Sequence, residues 1–250
     1  MCIRDRLEGA VYEGVSDTPI GQWTLPEGSI NPPPLLDAIA LDEQPLASFE
    51  PSQKNYVCMI EDLSKLPAIT ASSELPVEVA QAQAGSNIAK IVVSDPEDST
   101  NKSLYTITFK VPAKAEVPEG LVRKNQVAVK ASANPQQENM DFQVADGDLD
   151  TRWSADGDQW IQFDLGETTE VEAVALAWWQ GNARVSYFDI LISENGEDFS
   201  QVGSYETSGT TENFEIFTFA PAQARYVRVL GHGNETSGWN SILEMQVYGR

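Results

Sequence analysis

Short apolar runs with a period of two are the feature that most restricts how this chain can fold. In "SLYTITFKV", residues 103–111, every second side chain from Tyr105 to Val111 is apolar, as in a strand with one buried face. Similar runs recur along the chain, separated by Ser, Asp, Pro and Asn, and no stretch carries an apolar stripe at helical spacing. The sequence therefore predicts an all-β protein built from antiparallel sandwiches.

Two proline-containing segments divide the chain. Residues 1–34 are rich in turn residues and include three consecutive prolines, so we interpret them as a linker or as the remnant of an upstream region. The opening "MCIRDR" resembles translated sequencing-adapter leads, and the first residues are predicted to be artefactual. Residues 113–122 have no apolar period and are predicted to be a semi-rigid linker. Two domains are thus expected, at 35–112 and 123–250.

The first domain, residues 35–112, resembles the cadherin-like β-sandwich modules of bacterial surface and secreted proteins. The resemblance rests on a leading "LDAIAL", on the spacing of Phe49, Pro51 and Tyr56, and on the closing "YTITFKV". It implies an Ig/cadherin-like spacer without chemistry of its own. Cys58 lies within a strand pattern, where a buried, inert thiol is expected.

The charge balance excludes several classes of partner. The chain has 38 acidic and 16 basic residues, and its net charge of -22 repels nucleic acid and anionic membrane surfaces. No apolar run reaches the length that spans a bilayer, so membrane insertion is not expected. We expect a monomer that binds no nucleic acid and does not insert into a membrane.

An acidic loop in the second domain could hold a metal ion. "VADGDLDT", residues 144–151, concentrates Asp146, Asp148, Asp150 and Thr151 around a glycine. Ca²⁺ takes about six to eight oxygen ligands from such groups. Acidic residues with glycine also form ordinary turns, so the spacing alone leaves both interpretations open. It differs from the spacing of an EF-hand loop.

The same loop belongs to a set of motifs that occur in order through residues 123–250. "VADGDLDTRW", "QWIQFDLG", "ARYVRVLGHGN" and "SILEMQVYG" together resemble a discoidin domain, also called coagulation factor 5/8 type C. More narrowly, they resemble the family 32 carbohydrate-binding modules of bacterial polysaccharide lyases, alginate lyases in particular. The resemblance implies a galactose-binding-like jelly-roll β-sandwich, a structural calcium ion and a sugar site formed by loops at one end.

The resemblance also implies which residues bind the calcium. In the family pattern the ligands are two acidic residues of the loop, the threonine before the tryptophan and a glutamate near the C-terminus. Backbone carbonyls complete the shell. The corresponding side chains here are Asp146, Asp148, Thr151 and Glu244.

Two loops combine tryptophan, amides and a cation, the groups that stack on a sugar ring and bond its hydroxyls. They lie at residues 178–184 and 231–240. Trp178 and Trp179 must point to opposite faces if both continue a strand, and we expect Trp179 to be the exposed one. Trp239 could instead fill the mouth of the sandwich. The predicted sugar-binding residues are Trp179, Asn182, Arg184, His232, Asn234, Trp239 and Asn240.

One departure from the family pattern bears on the ligand. Many galactose-binding members have a histidine directly after the first tryptophan, whereas Ser154 follows Trp153 here. This favours a uronate over a galactose ligand. Arg152, Arg184 and His232 are then candidate partners of its carboxylate, since a guanidinium can bind a carboxylate with two parallel hydrogen bonds.

These features predict a non-catalytic region that directs a secreted or surface-attached polysaccharide-degrading enzyme to its polymer. The polymer would be alginate or a similar polyuronate, and the catalytic domain would lie upstream. The alternative is an adhesion module for protein or lipid, although the loops lack apolar spikes ringed by basic residues. Asp156 and Asp158 could form an acid/base pair, but two carboxylates in one turn are more simply a solvated loop.

Overall fold

A computed structural model describes residues 32–47, 49–136 and 138–250, and these residues form an all-β protein. The predicted upstream segment therefore lies almost wholly outside the described residues. One short 3-10 helix spans Asp141–Ala145. The strands are β1 Ala38–Leu41, β2 Gln44–Pro45, β3 Asn55–Met59, β4 Ile69–Ser72, β5 Val77–Ala80, β6 Ile88–Ser94, β7 Lys102–Lys110, β8 Val122–Lys124, β9 Ala128–Ala131, β10 Trp153–Asp156, β11 Gln159–Trp178, β12 Ser186–Ser193, β13 Ser200–Glu206, β14 Glu215–Asn234 and β15 Trp239–Gly249.

The first domain is a two-layer sandwich. One sheet has the strand order β2-β1-β4 and the other β3-β7-β6-β5. Side chains of both sheets, such as Ile39, Ile69 and Ile91, share one core. On β7 the alternation predicted from the sequence is confirmed, because Tyr105 and Ile107 are buried while the side chains between them point outward.

Two details of the first domain differ from expectation. β3 and β7 pair in parallel, with Asn55 opposite Thr106, whereas the sequence predicted an antiparallel sandwich. Three strands separate β3 from β7 in the chain, so no hairpin joins them and nothing forces the pair to be antiparallel. Cys58 is half-buried rather than buried, and its partial burial raises the pKa of the thiol.

Strands β8–β15 form one eight-stranded sheet that builds the second domain. Its main path is β10-β15-β11-β14-β12-β13, with β8 beside β15 and β9 beside β11. β11 and β14 are each 20 residues long and pair on both sides of a register shift between Asp164 and Thr169. Each was expected as two strands, but the chain passes through the irregularity without leaving the sheet. Both long strands contribute to the main buried cluster, for example through Phe163 and Val227.

The core of the second domain fixes where its tryptophans point. Trp153 is fully buried, and Trp178, the last residue of β11, is only 2% exposed. Trp178 packs on Phe188 with the ring centroids 5.4 Å apart. Because neighbouring strand residues face opposite sides, Trp179 is left half-buried at the end of the sheet.

The segment between the domains lies along the second domain. The side-chain amide of Gln246 donates to Ala113 O at 2.9 Å and accepts from Ala115 N at 3.3 Å, while Ala113 N donates to Gly147 O at 2.9 Å. Its apolar residues pack against the outer face of β11 and β15; they are Ala115, Val117 and Leu121. Within the described residues, no helix is long and apolar enough to cross a membrane.

Candidate functional site

Loops at one end of the second domain enclose a cleft of about 170 Å³, here called the arginine cleft. Arg152 precedes β10, Trp179 follows β11 and Trp239 begins β15, while Arg184 lies just before β12. The pairing of β10 with β15 brings the loop that carries Arg152 next to Trp239. Polar side chains complete the lining; they are Gln136, Ser154, Ser237 and Ser241.

The indole of Trp179 is the centre of this cleft. The guanidinium carbon of Arg152 lies 4.4 Å from the ring centroid, and that of Arg184 lies 4.9 Å from it. Both distances are typical of cation–π contacts, in which a guanidinium lies over the face of an aromatic ring. The cleft thus presents an aromatic surface flanked by two positive charges.

Neither arginine has an acidic partner among the described residues. Arg184 donates to Trp179 O at 3.3 Å, but its buried Nε has no hydrogen-bond partner within the described part of the chain. Arg152 donates to Ser154 Oγ at 3.3 Å, and that hydroxyl donates to Ser241 Oγ at 2.9 Å. Burial, followed by the charge of Arg152, lowers the pKa of Arg184. An anion in this cleft would give the unpaired Arg184 Nε a hydrogen-bond acceptor, and it would offset the repulsion between the two guanidiniums.

The turn at residues 178–184 is held by its own main chain. Gly181 N donates to Trp178 O at 3.0 Å, and Arg184 N donates to Gln180 O at 3.1 Å. Gln180 has a positive φ of 55°, and its N donates to Glu212 Oε1 at 2.8 Å. The predicted Asn182 is exposed on this turn and does not line the arginine cleft.

His232 lies outside the arginine cleft, between two carboxylates. Its Nδ1 is 2.9 Å from Asp158 Oδ1, and its Nε2 is 3.0 Å from Asp189 Oδ2. The Asp158 carboxylate raises the pKa of His232, Asp189 adds to this, and partial burial opposes it. Both ring nitrogens are therefore occupied by the protein, and the imidazole is not the free group that the sequence suggested.

The two asparagines of the 231–240 loop also face the protein. Asn240 is fully buried; its Oδ1 accepts from Gly233 N at 2.8 Å, and its Nδ2 donates to Gly157 O at 2.7 Å. Asn234 is 8% exposed and donates to Trp239 O at 2.8 Å. Neither lines the arginine cleft. Their side chains hold the loop that positions Trp239.

A second cluster of oxygen atoms lies where the acidic loop meets β15. Glu244 is fully buried, and its Oε1 accepts from Gly147 N at 2.6 Å. Its Oε2 is buried without a hydrogen-bond partner among the described residues. Asp146 Oδ2 accepts from Thr151 Oγ1 at 2.8 Å. Burial, together with the negative charge of Asp146, raises the pKa of Glu244 to about 8.

Asp148 faces a different partner from the one predicted. Both of its carboxylate oxygens lie 2.7 Å from the Lys110 ammonium, which reaches over from β7 of the first domain. Its main-chain carbonyl accepts from Thr151 Oγ1 at 3.0 Å. In the described residues no three Asp, Glu, His or Cys side chains are grouped for a metal. Two carboxylates, a hydroxyl and nearby carbonyls are nonetheless hard oxygen donors of the kind that Ca²⁺ takes.

Comparison with known proteins identifies the second domain. The F5/8 type C domain family matches residues 128–245. The family 32 carbohydrate-binding module (CBM32) of AlyQ, solved in complex with 4,5-unsaturated mannuronic acid, is 38% identical, and the match covers 52% of this chain and 99% of that one with a TM-score of 0.50. The chain belongs to the F5/8 type C family. The resemblance predicted from the sequence is confirmed for this F5/8 type C module, whereas the cadherin-like resemblance of the first domain stays a prediction.

Two further structures are similar to the F5/8 type C module. A truncated AlyQ with CBM32 and alginate lyase domains is 37% identical over 52% of this chain and 33% of that chain, with a TM-score of 0.48. A pectin-binding module is 29% identical over 50% of this chain and 91% of that chain, also with a TM-score of 0.48. No curated protein matches this chain significantly.

The structure brings together only part of the predicted site of the F5/8 type C module. Trp179, Arg184 and Trp239 share the arginine cleft, whereas Asn182, His232, Asn234 and Asn240 lie elsewhere. Arg152 completes the cleft; the sequence had suggested it only as a possible carboxylate partner. Ser154 was noted as a departure from the family, and its pairing opposite Ser241 places it in the lining. Gln136, Ser237 and Ser241 carried no sequence signal.

Proposed function

We propose that the F5/8 type C module binds an acidic polysaccharide through one uronate ring in the arginine cleft. The observation that carries this proposal is the pair of guanidiniums of Arg152 and Arg184, held against Trp179 without an acidic partner in the described residues. A carboxylate there would accept hydrogen bonds from both arginines. The apolar face of the ring would pack on Trp179 or Trp239.

The charge of the whole protein does not prevent such binding. The net charge of -22 repels a polyanion at long range. At physiological ionic strength, however, the Debye length is about 8 Å, so charges farther away are largely screened. The two arginines act within contact distance of the ligand. The local field of the cleft therefore decides whether a uronate binds.

The polymer would be alginate or another polysaccharide that contains uronates. The AlyQ module, which is 38% identical, was solved with an unsaturated mannuronic acid, and the cleft here has the cationic side chains that such a ligand needs. The module would then act outside the cell as the non-catalytic accessory of a polysaccharide-degrading enzyme. It would raise the concentration of that enzyme at the polymer, with the first domain as a spacer.

Calorimetric titration of the full chain tests the proposal. Unsaturated mannuronate oligosaccharides should bind, and Arg184→Ala should weaken them about tenfold to hundredfold, because a hydrogen bond to a charged group contributes about 1.5–3 kcal/mol. Neutral galacto-oligosaccharides should not bind better than the uronates. Arg225→Ala is the control, since Arg225 pairs with Asp164 outside the cleft. Equal uronate affinity of the Arg184 variant and the parent protein would refute the proposal.

We also propose that a structural calcium ion is held by Asp146, Thr151 and Glu244 together with main-chain carbonyls of the acidic loop. The support is the buried Glu244 Oε2 without a partner in the described residues, beside a second carboxylate. A bound cation would neutralise this pair and tie the loop to β15. Asp148 would not contribute its carboxylate, because Lys110 occupies it.

Thermal melting in calcium and in EDTA tests this ion. Calcium should raise the melting temperature of the parent protein, and Asp146→Ala should abolish the rise because it removes one carboxylate ligand. Asp148→Asn is the matched control and should keep the calcium response. An unchanged response in the Asp146 variant, or its loss in the Asp148 variant, would show that these ligands are misassigned.

A further inference from the structure

A second cleft adjoins the arginine cleft and shares two of its walls. It measures about 370 Å³ and is lined by Arg152 and Trp179, which also line the first cleft. The rest of its lining comes from three elements. Leu149 and Asp150 lie on the acidic loop, Glu212 and Asn213 lie on the loop before β14, and Leu243 lies on β15. The indole of Trp179 therefore stands between two neighbouring spaces, here called the arginine cleft and the acidic cleft.

The two clefts carry opposite charge. The arginine cleft is lined by Arg152 and Arg184, and none of the described residues that line it is acidic. The acidic cleft combines Arg152 with Asp150 and Glu212. The arginine cleft thus holds two guanidiniums, whereas the acidic cleft holds two carboxylates and one guanidinium.

The acidic side chains of the second cleft are fixed by the fold. Glu212 Oε1 accepts from Gln180 N at 2.8 Å, at the positive-φ residue of the turn that follows Trp179. The carboxylate of Asp150 lies 2.8 Å from the Lys110 ammonium, although the Asp150 side chain remains 85% exposed. Each carboxylate thus has one protein partner and can still accept hydrogen bonds from a ligand, while Lys110 and Arg152 offset part of the negative charge.

We propose that the acidic cleft is a second sugar subsite that takes an uncharged ring. This inference rests on the proposed function, because it assumes that a uronate fills the arginine cleft. The half-buried Leu149 offers apolar surface to the C–H groups of the second ring, and the carboxylates and Asn213 accept its hydroxyl protons. The preferred ligand then joins one uronate to one neutral sugar. Among the acidic polysaccharides of the proposed function, a polymer that mixes both kinds of ring would therefore bind more tightly than alginate, which contains uronates alone. A second uronate adds no affinity, because Asp150 and Glu212 repel its carboxylate.

The test compares three ligands by calorimetry on the full chain: monomeric mannuronate, a mannuronate dimer, and a disaccharide of a uronate linked to a neutral hexose. The parent protein should bind the dimer within about twofold of the monomer and the mixed disaccharide about fivefold to tenfold more tightly, the latter corresponding to one or two good hydrogen bonds. The double variant Asp150→Asn, Glu212→Gln keeps oxygen acceptors but removes both charges. It should bind the dimer about threefold to tenfold more tightly than the parent protein does.

A matched control removes the same number of charges elsewhere. Glu194→Gln with Glu197→Gln neutralises two exposed residues of the β12–β13 hairpin that line neither cleft, and it should leave all three affinities unchanged. A parent protein that binds the dimer more tightly than the mixed disaccharide, or a dimer affinity unaltered by the double variant, would overturn the proposal.

Failure of this inference can be told apart from failure of the proposed function. If binding of the monomer does not depend on Arg184, the uronate site itself is wrong, and the second subsite falls with it. If monomer binding does depend on Arg184 but a neutral second ring adds nothing, only the acidic-cleft subsite is refuted.

Discussion

The loops at residues 178–184 and 231–240 contain the same kinds of residue, yet the fold uses them differently. Each carries a tryptophan, at least one amide and a cation. In the first loop, Trp179 and Arg184 face a cleft, and no acidic side chain of the described residues pairs with the arginine. In the second, His232 is bound by two aspartates, and Ser237 and Trp239 reach the cleft instead. Composition alone therefore does not identify a binding loop.

The difference arises from how each loop satisfies its backbone. The 178–184 turn closes with main-chain hydrogen bonds, such as Ala183 N to Gln180 O at 2.9 Å. Its own side chains are therefore not needed to bond its backbone. The 231–240 loop also has main-chain hydrogen bonds, such as Asn234 N to Ser237 O at 2.8 Å, but it needs side chains of its own as well. Backbone groups in such a loop find partners on side chains, and Asn240 supplies them.

The largest effect that separates the loops should be on stability. Asn240→Ala removes bonds to Gly233, Ala155 and Gly157 from a fully buried site, and we expect unfolding to become about 2–4 kcal/mol easier. Asn182→Ala, on the exposed turn of the other loop, is the control and should change stability by less than about 0.5 kcal/mol. Urea unfolding followed by tryptophan fluorescence measures both. Similar losses for the two variants would remove the distinction drawn between the loops.

The next effect should be on binding. Trp179→Ala removes the ring that holds both guanidiniums, and we expect uronate affinity to fall about tenfold to hundredfold with little loss of stability. Trp160→Ala is a matched control, because Trp160 also contacts an arginine, Arg228, with its ring centroid 4.0 Å from the guanidinium, but does not line the cleft. Calorimetric titration distinguishes them. If both variants lose affinity equally, the aromatic–arginine contact is not specific to the site.

The sequence predicted the fold better than the site, for a physical reason. Period-two burial is a local property, so the strands around Tyr105 and Ile107 and the all-β class could be read from residue order. The parallel pairing of β3 with β7 depends on a long connection and has no local signal. Likewise, nothing in the residue types shows that Asn240 turns inward or that Lys110 takes the Asp148 carboxylate.

Strand alternation did predict the relative burial of the two adjacent tryptophans correctly. Trp178 and Trp179 are adjacent in the chain, so burial of one required exposure of the other, and the structure buries Trp178. Arg152 and Ser154 flank Trp153 and enter the cleft through the pairing of β10 with β15. That pairing joins residues about 90 positions apart, which no pattern within either strand could reveal.

The smallest effect should come from His232, whose cluster stabilises the fold without touching the ligand. Asp158 and then Asp189 raise its pKa above the ordinary value, so the imidazolium stabilises the folded state fully below about pH 6.5. This contribution is lost as the pH rises through the higher folded pKa. Because the side chain is 35% exposed, we expect the imidazolium to contribute less than about 1 kcal/mol to the free energy of unfolding. His232→Ala should therefore flatten the stability profile between pH 6 and 8 slightly, as measured by urea unfolding at a series of pH values, and leave uronate affinity unchanged. A loss of affinity comparable to that of Arg184→Ala would instead place His232 in the site and erase the contrast between the two loops.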